Sequence, residues 1–283
     1  LGAVNVMMPI IQLLAALNAL INIGGATVMA VNVGRGRTDE VRGIFTKSMS
    51  ISLAVSVAIA VVGVLFIDEI MPFLCTDPEL MDMAKEYGLL VFAMSPLFVI
   101  MPGLGAYVRT DNSPRLAMAS FIAMNATDLV LSFVFMEYLD MGLTGFALGT
   151  GIGYVVGLAV LAPHFIGRDR AIGIGRGSVR SSEILTMGAP TALGMGMIMV
   201  NMLGINLLVM DHLGSDGMAI RSVCTNVQMI SSIFVSGISQ TLQPVGGSLY
   251  GSEDLTGMRM VVGIATKYQL CLLYTSPSPR DRG

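Results

Sequence analysis

Long runs without a charged residue dominate this sequence. Residues 1–34 contain no Asp, Glu, Lys or Arg, and the same holds for 48–67, 87–108, 141–167, 184–210 and 222–252, while 116–136 carries Asp128 alone. A helix that crosses a bilayer needs about 20 predominantly apolar residues. The pattern therefore predicts seven spans, with an eighth that begins near Gly257 and stops after about two turns. Soluble domains carry about 25% charged residues; this chain has 12%, with 54% hydrophobic residues and a mean hydropathy of +0.75. The expected fold class is an all-α polytopic transmembrane helical bundle. The net charge of −3 says nothing about nucleic acid, and with no basic block to suggest one, no nucleic-acid partner is expected. Cys75, Cys224 and Cys271 show no metal or redox spacing.

The connections between spans alternate in charge. Arg35, Arg37, Arg42 and Lys47, then Arg109 and Arg115, then Arg168, Arg170, Arg176 and Arg180, then Arg259 and Lys267 all fall on one side. The other side holds "DEIMPFLCTDPELMDMAKE", "MEYLD" and "MDHLGSDG", with Lys85 and Arg221 as its basic residues. Cytoplasmic loops carry the Lys/Arg excess, so the basic side is expected inside and the first span starts outside. The sequence thus reads as cut at its N-terminus, after a span that would bring the chain out. At the other end, "CLLYTSPSPRD" is polar and proline-bearing after the helix start "MRMVVGIATKYQL". Residues 271–283 resemble the translation of a transposase-type sequencing adapter and are expected not to be native. The longest polar connection, residues 167–183, divides the chain into 1–166 and 184–270.

Depth explains the one mid-span charge. An intramembrane carboxylate costs at least about 2.5–3.5 kcal/mol on insertion scales and usually faces a cavity or a partner. Asp128 lies nine residues before Glu137, about 13 Å below the outer end of its span. The next helix runs back from Asp140, and Thr150 comes ten residues along, at nearly the same depth. Antiparallel neighbours would bring Asp128 and Thr150 together. Ser132, one turn from Asp128, shares its face. A carboxylate, hydroxyls and a carbonyl make an oxygen site for a proton or Na⁺.

"GGATVMAVNVGRGRTDEVRGIF", "LCTDPELMDMAKEYG", "RTDNSPRLAM", "MGLTGFALGT", "MGAPTALGMGM" and "ISQTLQPVGGSLYG" resemble, in order and spacing, the multidrug and toxin extrusion (MATE) family of secondary transporters over nearly all of residues 1–270. The resemblance implies two six-helix lobes around a central cavity. Residues 1–166 would be helices two to six of the first lobe, 167–183 a cytoplasmic linker, and 184–270 helices seven, eight and the start of nine, so the chain reads as a truncated fragment. Many relatives carry Asn-x-x-x-Asp followed on the next helix by Gly-Ala-Ala-x-Ala-Thr, residues that help form a cation site. Aligned through "MGLTGFALGT", Asp128 takes the Asn position and Ser132 the Asp position. Thr150 matches the threonine, and the Phe146 carbonyl matches a backbone ligand. The carboxylate is kept but moved by one turn. A glutamate used on helix seven by another branch corresponds here to Ile198, which argues against coupling of that type.

Several polar groups within spans are weaker candidates. Asn18, Asn22, Asn201, Asn206, Gln228 and Gln240 either line a substrate cavity or hydrogen-bond within the bundle. Gly145, Gly149, Gly153 and Gly157 form a ladder suited to close helix packing. His164 and His212 fall on opposite sides of the membrane by the charge rule and read as surface residues. The expected activity is export of drug-like organic compounds in exchange for Na⁺ or H⁺. No cofactor is expected, no metal beyond Na⁺ at Asp128, and no partner beyond the bilayer of a bacterial inner membrane and small substrates, with the protein acting as a monomer. A flippase for lipid-linked sugars is an alternative, which basic residues lining a cavity would favour. An intramembrane enzyme would need paired aspartates, a Ser–His pair or clustered histidines in the bilayer, and the spans lack them.

The charge pattern also predicts orientation. Residues 35–47, 109–115 and 167–183 should face the cytoplasm and 68–86 the exterior. Labelling of single cysteines with an impermeant reagent in intact cells checks this, and strong labelling of Arg35→Cys from outside would reverse the assignment.

Overall fold

A computed structural model describes residues 2–74, 78–166, 172, 173, 175 and 179–275. The described residues are helical, with connecting turns and no strand. The chain opens with α1 (Gly2–Asn18), a π-helical turn (Ala19–Ile23) and α2 (Gly24–Gly34). It continues through α3 (Thr38–Leu65), α4 (Ile67–Leu74), α5 (Pro78–Ala93), α6 (Ser95–Thr110), α7 (Pro114–Glu137) and α8 (Gly142–Ile166). The last two elements are α9 (Ser181–Gly251) and α10 (Leu255–Thr275). The chain forms two compact units, one of residues 1–29 and 38–192, the other of 30–37 and 193–283.

Four described segments are long and apolar enough to cross a membrane: Val6–Gly34, Thr38–Leu65, Pro114–Glu137 and Gly142–Phe165. The expected span at 87–108 is instead a broken one, with Met81–Ala93 and Ser95–Thr110 meeting at 46°. Pro96 supplies the reason. It has no N–H, and its ring would collide with the Phe92 carbonyl in a continuous helix. The spans expected at 184–210 and 222–252 lie within the single helix α9. The sequence reading placed a turn between them at "MDHLGSDG". Gly214 and Gly217 weaken a helix by only about 1 kcal/mol each relative to alanine, and no proline stands there to stop it. Helix α10 continues to Thr275, past the boundary expected at residue 271, and residues 276–283 lie outside the described residues.

Local chemistry sets the other ends. Asp39 and Glu40 occupy the first turn of α3, where carboxylates complement the helix dipole. Pro114 opens α7 at a position whose N–H would be unpaired in any case. The α7–α8 connection is tight, with Asp140 at φ 50° and Gly142 at φ 54°. This hairpin puts α7 and α8 antiparallel in the most extensive helix pairing of the described residues.

In the first unit large apolar side chains lie outward, and several polar side chains are buried among the apolar ones of the interior. On α3, Leu53, Val57, Val61 and Val64 are exposed, while Ser48, Ser52 and Ser56 are buried at four-residue spacing. Asn22, in the π-turn, is fully buried and ties three elements together. Its amide Nδ2 donates to the Val99 carbonyl at 3.1 Å and to Asn18 Oδ1 at 3.0 Å, and its Oδ1 accepts from Ser52 at 2.6 Å. A Cβ at position 103 would come within 2.5 Å of that amide, so Gly103 permits the approach of α6.

Residues from the connection before α9 also pack on this unit. The Thr46 hydroxyl accepts from the Gly175 N–H at 3.0 Å and lies 3.4 Å from the Gly173 carbonyl, and Lys47 donates to the Val179 carbonyl at 2.7 Å. Ile172, Val179 and Ile184 are buried.

Removing the Asn22 amide should destabilise the bundle. Asn22→Ala leaves the buried Ser52 hydroxyl without its acceptor, and a stranded buried polar group costs about 1–3 kcal/mol. Unfolding in detergent should show that loss for Asn22→Ala and almost none for Asn125→Ala, whose side chain is exposed.

Candidate cation site

The α7–α8 hairpin determines which side chains meet at mid-depth. On α7, Met118, Ile122, Leu129 and Phe133 are exposed, whereas Ala117, Ser120 and Ser132 are buried and Asp128 is half-buried. The carboxylate thus projects from the inward face. Asp128 Oδ1 accepts two hydrogen bonds, from Ser132 Oγ at 2.9 Å and from Thr150 Oγ1 at 2.9 Å. Both hydroxyls also lie within bonding distance of the Phe146 carbonyl, Thr150 at 3.1 Å and Ser132 at 3.3 Å. All four residues expected at the cation site are therefore in one constellation. Each hydroxyl has one proton and two acceptors in reach, so each donates to Asp128 or to Phe146 but not to both.

An aromatic and aliphatic wall backs these oxygens. Tyr87 and Phe146 pack with ring centroids 6.3 Å apart, and Tyr154 meets Phe98 edge-on at 4.8 Å. Phe146 also packs against the core built from Met7, Met71, Tyr87 and Val91. No sequence pattern singled out Tyr87 or Tyr154. Both come from tertiary packing, and the available signal was that a tyrosine in a charge-free span brings a polar end with it.

The other candidates are dispersed. Asn18 joins Asn22, and their hydrogen bonds run within the bundle. Asn201, Gln228 and Gln240 are exposed on α9, and the side chain of Asn206 lies outside the described residues. In the second unit an apolar groove of about 450 Å³ lies between α9 and α10, with Ile238, Leu242, Val245, Ile264 and Tyr268 among its lining residues. No group of three metal-ligating side chains occurs among the described residues.

Residues 1–134 match the family model described as MatE. The chain is 22% identical over 96% of its length to the multidrug export protein MepA of Staphylococcus haemolyticus, and covers 62% of that protein. It is 21% identical over 87% of its length to MepA of Staphylococcus aureus strain RF122, covering 55% of it. Among solved structures it is similar to an outward-facing multidrug resistance MATE family transporter of the MOP superfamily, with a TM-score of 0.89, 21% identity, and coverage of 96% of this chain and 62% of that one. It is equally similar to a MOP superfamily transporter from Pyrococcus furiosus described as having a binding pocket of reverse polarity, with a TM-score of 0.88, 21% identity and the same coverage. The chain spans about three fifths of the length of the Staphylococcus haemolyticus relative and of the outward-facing transporter. The family resemblance and the all-α membrane fold read from the sequence both hold.

One histidine departs from expectation. His164 is not a surface residue, being only 1% exposed. Its Nε2 is paired with Asp111 Oδ2 at 2.9 Å, joining the last turn of α8 to the α6–α7 turn. Its Nδ1 is enclosed without a hydrogen-bond partner. The carboxylate allows the burial, because a polar ring enters a protein interior only with a partner. In a double-mutant cycle on thermal stability in detergent, His164→Ala and Asp111→Ala should be non-additive by more than about 1 kcal/mol, the signature of residues in contact. Simple additivity would show that the pair contributes no interaction.

Proposed function

We propose that this MatE-family chain, an integral membrane protein, belongs to a cation-coupled antiporter of a bacterial plasma membrane. It exports drug-like organic compounds by alternating access, with Na⁺ or H⁺ taken at Asp128. The observation that carries the reading is one mid-span carboxylate that accepts from two hydroxyls, each of which also has the Phe146 carbonyl within bonding distance. A structural carboxylate needs only enough donors to satisfy it. Here the donors have a second acceptor beside the first, which gives the site two hydrogen-bonded arrangements.

With Asp128 ionised, Ser132 and Thr150 donate to Oδ1. When Asp128 gains a proton its demand for donors falls, and the hydroxyl protons swing to the Phe146 carbonyl. A Na⁺ ion would use the same oxygens as acceptors, with the hydroxyl protons turned away from it. Either cation changes which bonds join α7 to α8. An ion drives a conformational cycle only through differential affinity for two states, and a bond pattern shared between two helices can supply that difference. Substrate passage near the midplane between repeats is usual for such carriers. The names of the MepA relatives support drug-like compounds as the cargo class.

Dye efflux from vesicles under an imposed Na⁺ or proton gradient, normalised to inserted protein, tests the reading. In a version extended to the full length of its relatives, Asp128→Asn should abolish ion-driven efflux while leaving insertion intact, since it keeps shape and hydrogen bonding but removes the charge. Thr150→Val should weaken efflux without abolishing it, because it deletes one neutral ligand. If Asp128→Asn pumps at the unmutated rate, the carboxylate is structural.

A further inference from the structure

A smaller cavity lies at the end of the first apolar segment. Its volume is about 300 Å³, and Arg35, Tyr250, Gly251, Glu253 and Leu255 line it, all within the second unit. Arg35 follows directly on the membrane-length segment Val6–Gly34, so the cavity sits where hydrocarbon gives way to lipid headgroups. The end of α2 is pressed against the end of α9. A Cβ at Gly34 would strike the Ser248 carbonyl, and one at Gly251 the Val31 carbonyl. That contact brings Arg35 beside the α9–α10 turn.

The lining carries one charge of each sign. Among the described residues Arg35 and Glu253 form no ion pair, with each other or with another side chain. Two opposite charges that share a cavity without pairing leave room for a ligand that bears both. The turn itself does not account for Glu253. Its φ of 59° is one that glycine adopts at lower cost. The capping of α10 falls to its neighbour Asp254, whose Oδ1 accepts from the Gly257 N–H at 2.8 Å. Beside the charges, Tyr250 and Leu255 are 55% and 56% exposed. A tyrosine at this level is suited to the membrane–water interface. The volume is at the lower limit of ligand pockets, about 300–1,000 Å³, and fits a headgroup better than a drug-sized molecule.

We propose that this cavity binds the headgroup of a zwitterionic phospholipid of the ethanolamine type. The Arg35 guanidinium donates to the phosphodiester oxygens, a pairing that its planar fork favours. The Glu253 carboxylate accepts from the primary ammonium, and Tyr250 and Leu255 lie along the glycerol and the first methylenes. An anionic glycerol lipid offers Glu253 no cation. A choline headgroup keeps the charge but has no N–H to donate. Arg35 therefore sets affinity for phospholipid in general, and Glu253 sets the preference for ethanolamine. The site is independent of cation coupling at Asp128, which belongs to the other unit.

Native mass spectrometry of the purified chain in detergent tests the proposal. The chain is titrated with phosphatidylethanolamine, phosphatidylglycerol or phosphatidylcholine of identical acyl chains, and the affinity of the first bound lipid is read. The ethanolamine lipid should bind at least about fivefold more tightly than either of the others, the effect of one charge at a membrane surface. Glu253→Gln should erase that preference. Arg35→Gln should weaken binding of each lipid about fivefold. Both side chains are exposed, so these variants keep the fold. Arg115→Gln, which removes an exposed basic residue of the first unit, should leave binding unchanged. An unmutated chain without the ethanolamine preference, or a Glu253→Gln variant that retains it, overturns the site. So does a loss on Arg115→Gln equal to that on Arg35→Gln, which marks general attraction to a basic surface. Soluble phosphoethanolamine that binds as tightly as the lipid would assign the cavity to a free phosphate ester and overturn the lipid assignment.

Discussion

A polar group that faces hydrocarbon has no water to bond, so in a membrane protein every such group must find its partner inside. That requirement organises the first unit. It turns Ser48, Ser52 and Ser56 inward along α3 and leaves the valines of the same helix outward. It seats the Asn22 amide where Val99, Asn18 and Ser52 can all be reached. Ser95 follows the same rule, donating to the Ser56 carbonyl at 3.1 Å across from α3. Ser120 does so too, donating to the Gly157 carbonyl at 2.8 Å across the α7–α8 pair. Asn22, Ser52, Ser95 and Ser120 thereby bond helices to one another, while the Ser48 and Ser56 hydroxyls donate within α3, to the Ile44 and Leu53 carbonyls. Asp128 is the extreme member of this set, and its hydroxyl partners are what the requirement produces around a carboxylate.

The grouping of Asp128, Ser132 and Thr150 was legible in the sequence because it depends on two simple periods. The rise of an α-helix fixes depth, so counting from the outer ends of α7 and α8 put Asp128 and Thr150 at one level, and they bond at 2.9 Å. The four-residue repeat put Ser132 on the Asp128 face, again at 2.9 Å. Phe146 came from the resemblance alone, since a carbonyl leaves no trace in side-chain pattern.

What the sequence hid has a common physical origin. His164 and Asp111 are 53 residues apart, and charge alternation reports only which side of the membrane each occupies, not how deeply the bundle encloses it. The π-turn at Ala19–Ile23 leaves hydropathy unchanged while rotating everything after it. The break at Met94 was readable in part, because Pro96 marks a place where a helix cannot run on, though not the 46° through which it turns. Helix α9 is the opposite case. Glycines and acidic residues at 211–217 favour a turn, yet the cost of keeping them helical is small enough that continuity prevails.

The docked connection ahead of α9 has a mechanical consequence. A chain of this length with free backbone groups would act as a slack tether, absorbing any displacement of one end before the other felt it. Here Thr46 and Lys47, neighbours on one turn of α3, hold it at Gly173, Gly175 and Val179. Ile184 is seated five residues further on. The slack between α3 and the start of α9 is thereby reduced to a few residues. A tilt of α3 about its Leu65 end would pull directly on the first turn of α9, as a crank pulls on a short rod.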